Sequence, residues 1–279
     1  MANERTPVAL SIAGSDSGGG AGIQADLKAF AACGVHGATA IVALTAQNTV
    51  EVTEVMSVPS GMIAAQVDAV VADLGVDSVK VGMLGDPATA TAVADALEQL
   101  PSTTPVVVDP VMVAESGATL LEPSAVEVLV DRILPRATVI TPNLPEARAL
   151  VASASNGAEQ GYEDARQDDL ARELKRLGPS AVVVTGGHTS EGRDLFFDGG
   201  EPVEIGGPIH QGRATHGSGC THSSALAAGL ALGFGALEAA HLAREVAADA
   251  VAHGLEGVGG GAGPVDVLAV TARRKAPRA

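Results

Sequence analysis

The run from His216 to Thr221, HGSGCT, places two glycines and a cysteine where a glycine-rich turn opens into a long apolar helix of small residues. Lacking side chains, Gly217 and Gly219 let backbone N–H groups approach an anion, and the helix N-terminus adds a favourable dipole. No Lys follows these glycines, so the loop is a phosphate cradle of a kind other than Walker A. A close-packed helix start would use the same glycines. In the first turn, Cys220 is expected to have its thiol pKa lowered from about 8.5, and the thiolate could accept a proton from an attacking hydroxyl. Its alternative is a small buried hydrophobe. Cys33, beside Phe30 on an amphipathic helix, reads as core.

Asn143 and Glu146, in TPNLPEA, stand three apart at an expected helix start, so both can face one ligand. A carboxylate and an amide oxygen suit Mg²⁺, which keeps most of its waters and binds nucleotide phosphates. Capping by Asn143 and a dipole-favourable Glu146 account for the same spacing. Asp109 ends the apolar strand VVVD and strengthens the metal reading, because a carboxylate there is costly to bury without a partner. Asp26 and Gln47 are candidates for orienting a polar heterocycle, Gln47 offering both a donor and an acceptor; by spacing alone either reads more readily as a solvent-facing polar residue. The seven histidines show no HExxH pairing, which argues against catalytic zinc.

These residues need a scaffold that brings loop ends together. Val- and Ile-rich runs alternate with helical periodicity, the pattern of a mostly parallel sheet covered on both faces. Strands are expected at Val8–Ala13, Ala38–Leu44, Ser78–Val81, Val106–Asp109, Thr138–Ile140 and Ala181–Thr185. Helices are expected at Ile23–Cys33, Gly61–Leu74, Ala88–Leu100, Ser124–Leu134, Leu144–Val151, Asp168–Leu177, Gly219–Leu232 and Leu237–Leu255. A hairpin is expected within Asp194–Gly207, and VGGGAG at 258–263 reads as a surface loop. Strand after strand ends in a polar or glycine-rich segment, at the edge where open α/β sheets bind ligands. With 46% hydrophobic but only 2% aromatic residues, the core must be built from Ala, Val, Leu and Ile.

A formal net charge of −16, with no basic cluster beyond Arg273–Lys275 and no Trp, argues against a nucleic-acid partner. The N-terminal apolar run is too short for a signal-peptide core or for the ~20 residues of a membrane span. A cytoplasmic protein with free thiols is expected. One domain should span 1–279, with flexible tails at 1–6 and 273–279.

Taken in order, AGSDSGGGAGIQADLK, ALTAQNT, VGMLG, DPVM, TPNLPEA, GGH and HGSGCT resemble the hydroxymethylpyrimidine/phosphomethylpyrimidine kinases of thiamine biosynthesis, members of the ribokinase-like superfamily. The match runs from about Val8 to Val267. The resemblance implies a three-layer α/β/α fold, a homodimer, and two ATP-dependent phosphorylations: of 4-amino-5-hydroxymethyl-2-methylpyrimidine, then of its monophosphate. It implies pyrimidine-pocket roles for Gly14, Asp26, Gln47 and Met83, and catalysis by Cys220. Asp109, Asn143 and Glu146 would manage Mg²⁺ directly or through water. Gly217, Ser218 and Gly219 would form the anion hole, Gly186, Gly187 and His188 would join the ATP site, and Ala114–Leu120 would be a flap. Thr185 and Glu115 stand where relatives commonly have Lys, and VGGGAGP lacks the histidines often found there. The departures at Thr185 and Glu115 leave more of the phosphate charge to Mg²⁺ and backbone N–H groups.

Overall fold

A computed structural model describes residues 5–114, 117–154, 162, 165–187, 192–210, 212–270 and 272. The chain opens with β1 (Val8–Asp16), α1 (Gly22–Ala32), β2 (His36–Gln47), β3 (Val52–Ser57) and α2 (Ser60–Asp73). It continues through β4 (Ser78–Val81), α3 (Pro87–Gln99), β5 (Val106–Val108), α4 (Pro123–Val128), β6 (Val139–Ile140), α5 (Leu144–Ala154) and α6 (Gln167–Arg176). It ends with β7 (Ala181–Val184), β8 (Asp194–Phe197), β9 (Val203–Ile205), α7 (Ser218–Ala231) and α8 (Ala236–Ala252).

The nine strands among the described residues join one sheet in the order β3-β2-β1-β4-β5-β6-β7-β8-β9. The pairs from β2 to β7 are parallel, whereas β3, β8 and β9 pair antiparallel. The chain first builds leftward from β1 and then returns to build rightward from β4. The sheet order therefore reverses between β1 and β4, and a crevice opens at their carboxyl ends.

Alternation along the strands feeds two cores. Leu10, Ile12, Val79 and Val81 pack on one face with Val93, Leu97, Ile133 and Leu150. Ala9, Val107, Val139 and Val183 pack on the other with Phe30 and the alanines of α7 and α8. From Thr221 to Leu230 every residue of α7 is buried, as expected of a small-residue helix apolar on all sides. A Cβ added at Gly229 would stand 2.9 Å from that of Ala239, so α7 and α8 cross closely. Such packing fixes the start of α7 rigidly above the sheet.

The expected strands and helices are all present. The expected helix Ser124–Leu134 divides into α4, a π turn at Leu129–Ile133 and a 3-10 turn at Leu134–Arg136. The sequence reading misses β3, whose residues VTEVMS are mostly exposed at the sheet edge and form no apolar run. The expected hairpin is the β8–β9 pair. The 258–263 loop lies at the surface, and its Gly261 N–H donates to Thr49 Oγ1 at 3.2 Å. Arg5 lies within the expected N-terminal tail, yet it is tied to Asp77 at 2.8 Å and to the Leu74 carbonyl; residues 1–4 and 273–279 lie outside the described residues. No helix among the described residues is long and apolar enough to cross a membrane.

Candidate active site

A cavity of about 410 Å³ runs along the carboxyl edge of the sheet, a size typical of small-molecule sites. Strand order sets its layout. Gln47 ends β2, Gly14 lies near the end of β1 and Met83 follows β4 at one end, Asp109 and Asn143 follow β5 and β6, and Gly187 follows β7 at the other.

At the β2 end, Gln47 is locked through its backbone. Its N–H donates to Ser17 Oγ (2.8 Å), whose hydroxyl donates to the Gln47 carbonyl (2.7 Å). Thr45 Oγ1 donates to Gln47 Oε1 at 3.1 Å. A Cβ at Gly14 would touch Met83 Cε and Sδ at 3.4 Å, so the glycine leaves room for Met83 against the wall.

Asp26 does not line the cavity and is corrected here as a pocket residue. It is fully buried beneath the floor, where Lys80 Nζ donates to both its oxygens (2.9 and 3.1 Å) and Ser11 and Ser224 hydroxyls donate at 2.5 and 2.7 Å. Lys80, itself fully buried, reaches the cavity that Asp26 does not. Burial alone would lower its pKa, but Asp26, with Cys220 and Asp109 nearby, outweighs that and raises it. A fixed ammonium thus sits under the centre of the site. A lysine inside the strand SVKV was the available signal, since a buried Lys needs a partner.

Gly217, Ser218, Gly219 and Cys220 all line the cavity at the start of α7. Gly217 is the N-cap, with φ of 84°. The thiol of Cys220 corrects the expected shift: burial, with Asp26 and Asp109 adding negative charge, pushes its pKa up to about 12 against Lys80 and the Gly22 N–H. Desolvation and two carboxylates outweigh the helix terminus and favour the neutral thiol.

Asn143 and Glu146 realise the capping alternative and still face the cavity. Glu146 N–H donates to Asn143 Oδ1 and Asn143 N–H donates to Glu146 Oε2, both at 2.9 Å, a reciprocal capping box. Burial and the Asp109 carboxylate push the Glu146 pKa up to about 8 despite the N–H groups of Asn143 and Met112. Asp109 accepts from Ser223 Oγ at 2.9 Å, and burial raises its pKa against the pull of Lys80.

At the β7 end, Gly187 lines the cavity, but Gly186 lies behind it with its N–H on Asp194 Oδ1 (2.8 Å). His188, Glu115 and Ser116 lie outside the described residues. The rest of the flap forms a hairpin, Ala114 N–H bonding the Ala118 carbonyl at 2.8 Å, and Val113, Ala114 and Leu120 line the cavity. Thr185 brings no charge, but Arg244 does. On α8 it shares one cavity-facing stripe with Ala247, Ala248 and Val251. Its guanidinium donates to the carbonyls of Gly192 and Pro208 (2.5 and 3.5 Å), while its Nε is buried without a partner. His222 Nε2 is 3.1 Å from Asp194 Oδ2, and its buried Nδ1 also lacks a partner. Among the described residues no cluster of three His, Cys, Asp or Glu side chains is placed to hold a metal.

An α/β sheet of this order, with an anion cradle at a helix start facing carboxylates across a crevice, defines a small-molecule kinase of the ribokinase-like class. The model of the phosphomethylpyrimidine kinase family matches residues 16–266. The chain belongs to that family. A hydroxymethylpyrimidine/phosphomethylpyrimidine kinase of Rhizobium meliloti is 50% identical over 93% of this chain and 96% of its own. Among solved structures, an ADP complex of Bacillus subtilis pyridoxal kinase is similar at a TM-score of 0.82 and 34% identity, covering 95% of this chain and 99% of that one. A phosphomethylpyrimidine kinase of Clostridium difficile is similar at 0.72 and 37% identity, covering 86% and 97%.

Proposed function

We propose that the protein transfers the γ-phosphoryl group of ATP to 4-amino-5-hydroxymethyl-2-methylpyrimidine and then to the resulting monophosphate, for thiamine biosynthesis. The carrying observation is one cavity that joins Gln47 and Met83 at the β2 end, the Gly217–Cys220 cradle at its centre and Arg244 at the β7 end. The heterocycle meets Gln47, the transferred group sits over the N–H groups of Gly217 and Gly219, and the nucleotide extends toward Arg244; the Ser218 N–H is turned to the Thr215 carbonyl at 3.0 Å. Phosphoryl transfer asks mainly for positioning and charge stabilisation, which this arrangement supplies.

The donor set fits Mg²⁺. Burial raises the pKa of both Asp109 and Glu146, and the Asp109 charge raises that of Glu146 further, a strain between two desolvated carboxylates that a divalent cation relieves. Asn143 Oδ1 already serves the helix cap, so two carboxylates with nucleotide oxygens and waters are the expected coordination. A Mg²⁺ held by Asp109 and Glu146 would supply neutralisation of phosphate charge. Lys80 and the Gly22 N–H favour the Cys220 thiolate, which takes the hydroxymethyl proton as the substrate oxygen bonds to the γ-phosphorus and the bond from that phosphorus to the β–γ bridging oxygen breaks, releasing ADP. Cytoplasmic location and a homodimer are carried by the family resemblance; the net charge of −16 disfavours nucleic acid.

Pyridoxal phosphorylation is a second reading, favoured by the higher structural similarity to a pyridoxal kinase than to a phosphomethylpyrimidine kinase. A coupled ADP-release assay with hydroxymethylpyrimidine, its monophosphate and pyridoxal separates the two. Turnover of both pyrimidines is expected, and turnover of pyridoxal alone overturns the first reading.

A further inference from the structure

Asp16 ends β1 and takes no part in the chemistry above, yet it is almost fully buried and receives four N–H groups. Gly18 N–H donates to Oδ1 at 2.8 Å, and Gly20 and Ala21 N–H donate to Oδ2 at 2.9 and 2.8 Å. The fourth comes from across the site, where His216 Nε2 lies 3.0 Å from Oδ2. Burial alone would raise the Asp16 pKa, but His216 and the Ala21 and Gly18 N–H groups outweigh it and hold the carboxyl below its ordinary value.

This contact joins two loops at van der Waals limits. A Cβ at Gly20 would stand 2.1 Å from the His216 ring, and one at Gly217 would stand 1.8 Å from the Gly20 carbonyl oxygen. The same β1–α1 loop leads to Gly22, whose N–H donates toward Cys220. His216 is held from behind as well: its N–H donates to the Gly263 carbonyl and its own carbonyl accepts from Val265 N–H, both at 3.1 Å.

We propose that Asp16 and His216 are positioning residues for phosphoryl transfer: their hydrogen bond clasps the β1–α1 loop to the cradle loop and so sets Gly217–Gly219 and Cys220 against the acceptor hydroxyl. The inference rests on the cradle and Cys220 roles proposed above. Neither side chain needs to touch the reacting atoms. Misplacement by about 1 Å can cost about 100-fold in rate, which is the scale of effect a loosened clasp should show.

The test compares His216→Leu, His216→Gln and Asp16→Asn in the ADP-release assay with hydroxymethylpyrimidine, alongside Cys220→Ala. Leu removes the donor, whereas the Gln side-chain amide retains one. His216→Leu is expected to lower kcat about 100-fold with both KM values within about threefold of wild type, and His216→Gln to recover at least about tenfold of that loss. Asp16→Asn keeps the size of the side chain but places an amide N–H against N–H donors, and should lower kcat similarly if His216→Leu does not fold. A folded His216→Leu or Asp16→Asn protein with wild-type kcat overturns the clasp, as does a rise in KM with kcat retained. Wild-type turnover by Cys220→Ala with kcat lost in His216→Leu refutes the cysteine role and leaves the clasp standing.

Discussion

Lys80 Nζ lies 2.9 and 3.1 Å from the two oxygens of Asp26, and neither side chain has any solvent exposure. The pair joins β4 to α1, and through Ser224 also to α7, directly below the cradle. Its four-group network satisfies Asp26 with one ammonium and two hydroxyls, so the charges are compensated in a buried setting. It therefore holds the floor of the site as well as placing a positive charge there.

Removing one partner strands the other. Lys80→Met should destabilise the protein by about 3–5 kcal/mol, the usual cost of leaving a buried charge unpaired. The double variant Lys80→Met/Asp26→Asn should recover most of that loss, because neither charge of the pair is then left buried without the other. Urea unfolding of the three proteins checks both steps. A single variant as stable as wild type refutes the role of the pair.

This pair also shows where sequence reasoning stopped. Asp26 was visible as a polar residue near the β1 loop, but spacing cannot tell a carboxylate pointing into a cavity from one pointing beneath it. The strands and helices were legible because Val-rich runs and 3.6-residue periodicity are local patterns. The cradle was legible because glycines at a helix start are contiguous. Asp16 with His216, Asp194 with His222 and Arg244 with the Gly192 and Pro208 carbonyls are contacts between segments far apart in the chain. Cys220 was misread for a related reason: the helix terminus is local, but the burial and the carboxylates Asp26 and Asp109 that outweigh it come from the tertiary fold.

Glu146 gives a pH dependence with a definite sign. Its folded-state pKa is raised from 4.5 to about 8 by burial and by Asp109. Between those values the unfolded chain has released the proton and the folded, metal-free protein has kept it. The unfolded state then binds fewer protons, so this contribution to stability is fully present below about 4.5 and is lost as pH rises through about 8. Calorimetry in EDTA from pH 5 to 9 should show the Tm of wild type falling relative to that of Glu146→Gln. Parallel profiles for the two proteins would refute the raised pKa.

Arg244 brings a positive side chain to the cavity, where the sequence reading expected only Mg²⁺ and backbone N–H groups to meet phosphate charge. Two carbonyls hold its guanidinium, Nε has no partner, and no described carboxylate pairs with it directly, although its charge reaches Asp194 and helps to lower that pKa against burial. A guanidinium facing a cavity in a protein of net charge −16 is suited to an anionic ligand that arrives from outside. Arg244→Met should raise the KM for ATP about 10–100-fold, the range for losing a charge-assisted hydrogen bond, with the KM for hydroxymethylpyrimidine within about threefold. Arg244→Lys should fall between, since one ammonium cannot hold both carbonyls and still present a planar fork to phosphate. An unchanged KM for ATP in a folded Arg244→Met protein would assign the residue to tying the Gly192 and Pro208 loops alone, and would return the phosphate charge to Lys80, Mg²⁺ and the cradle N–H groups.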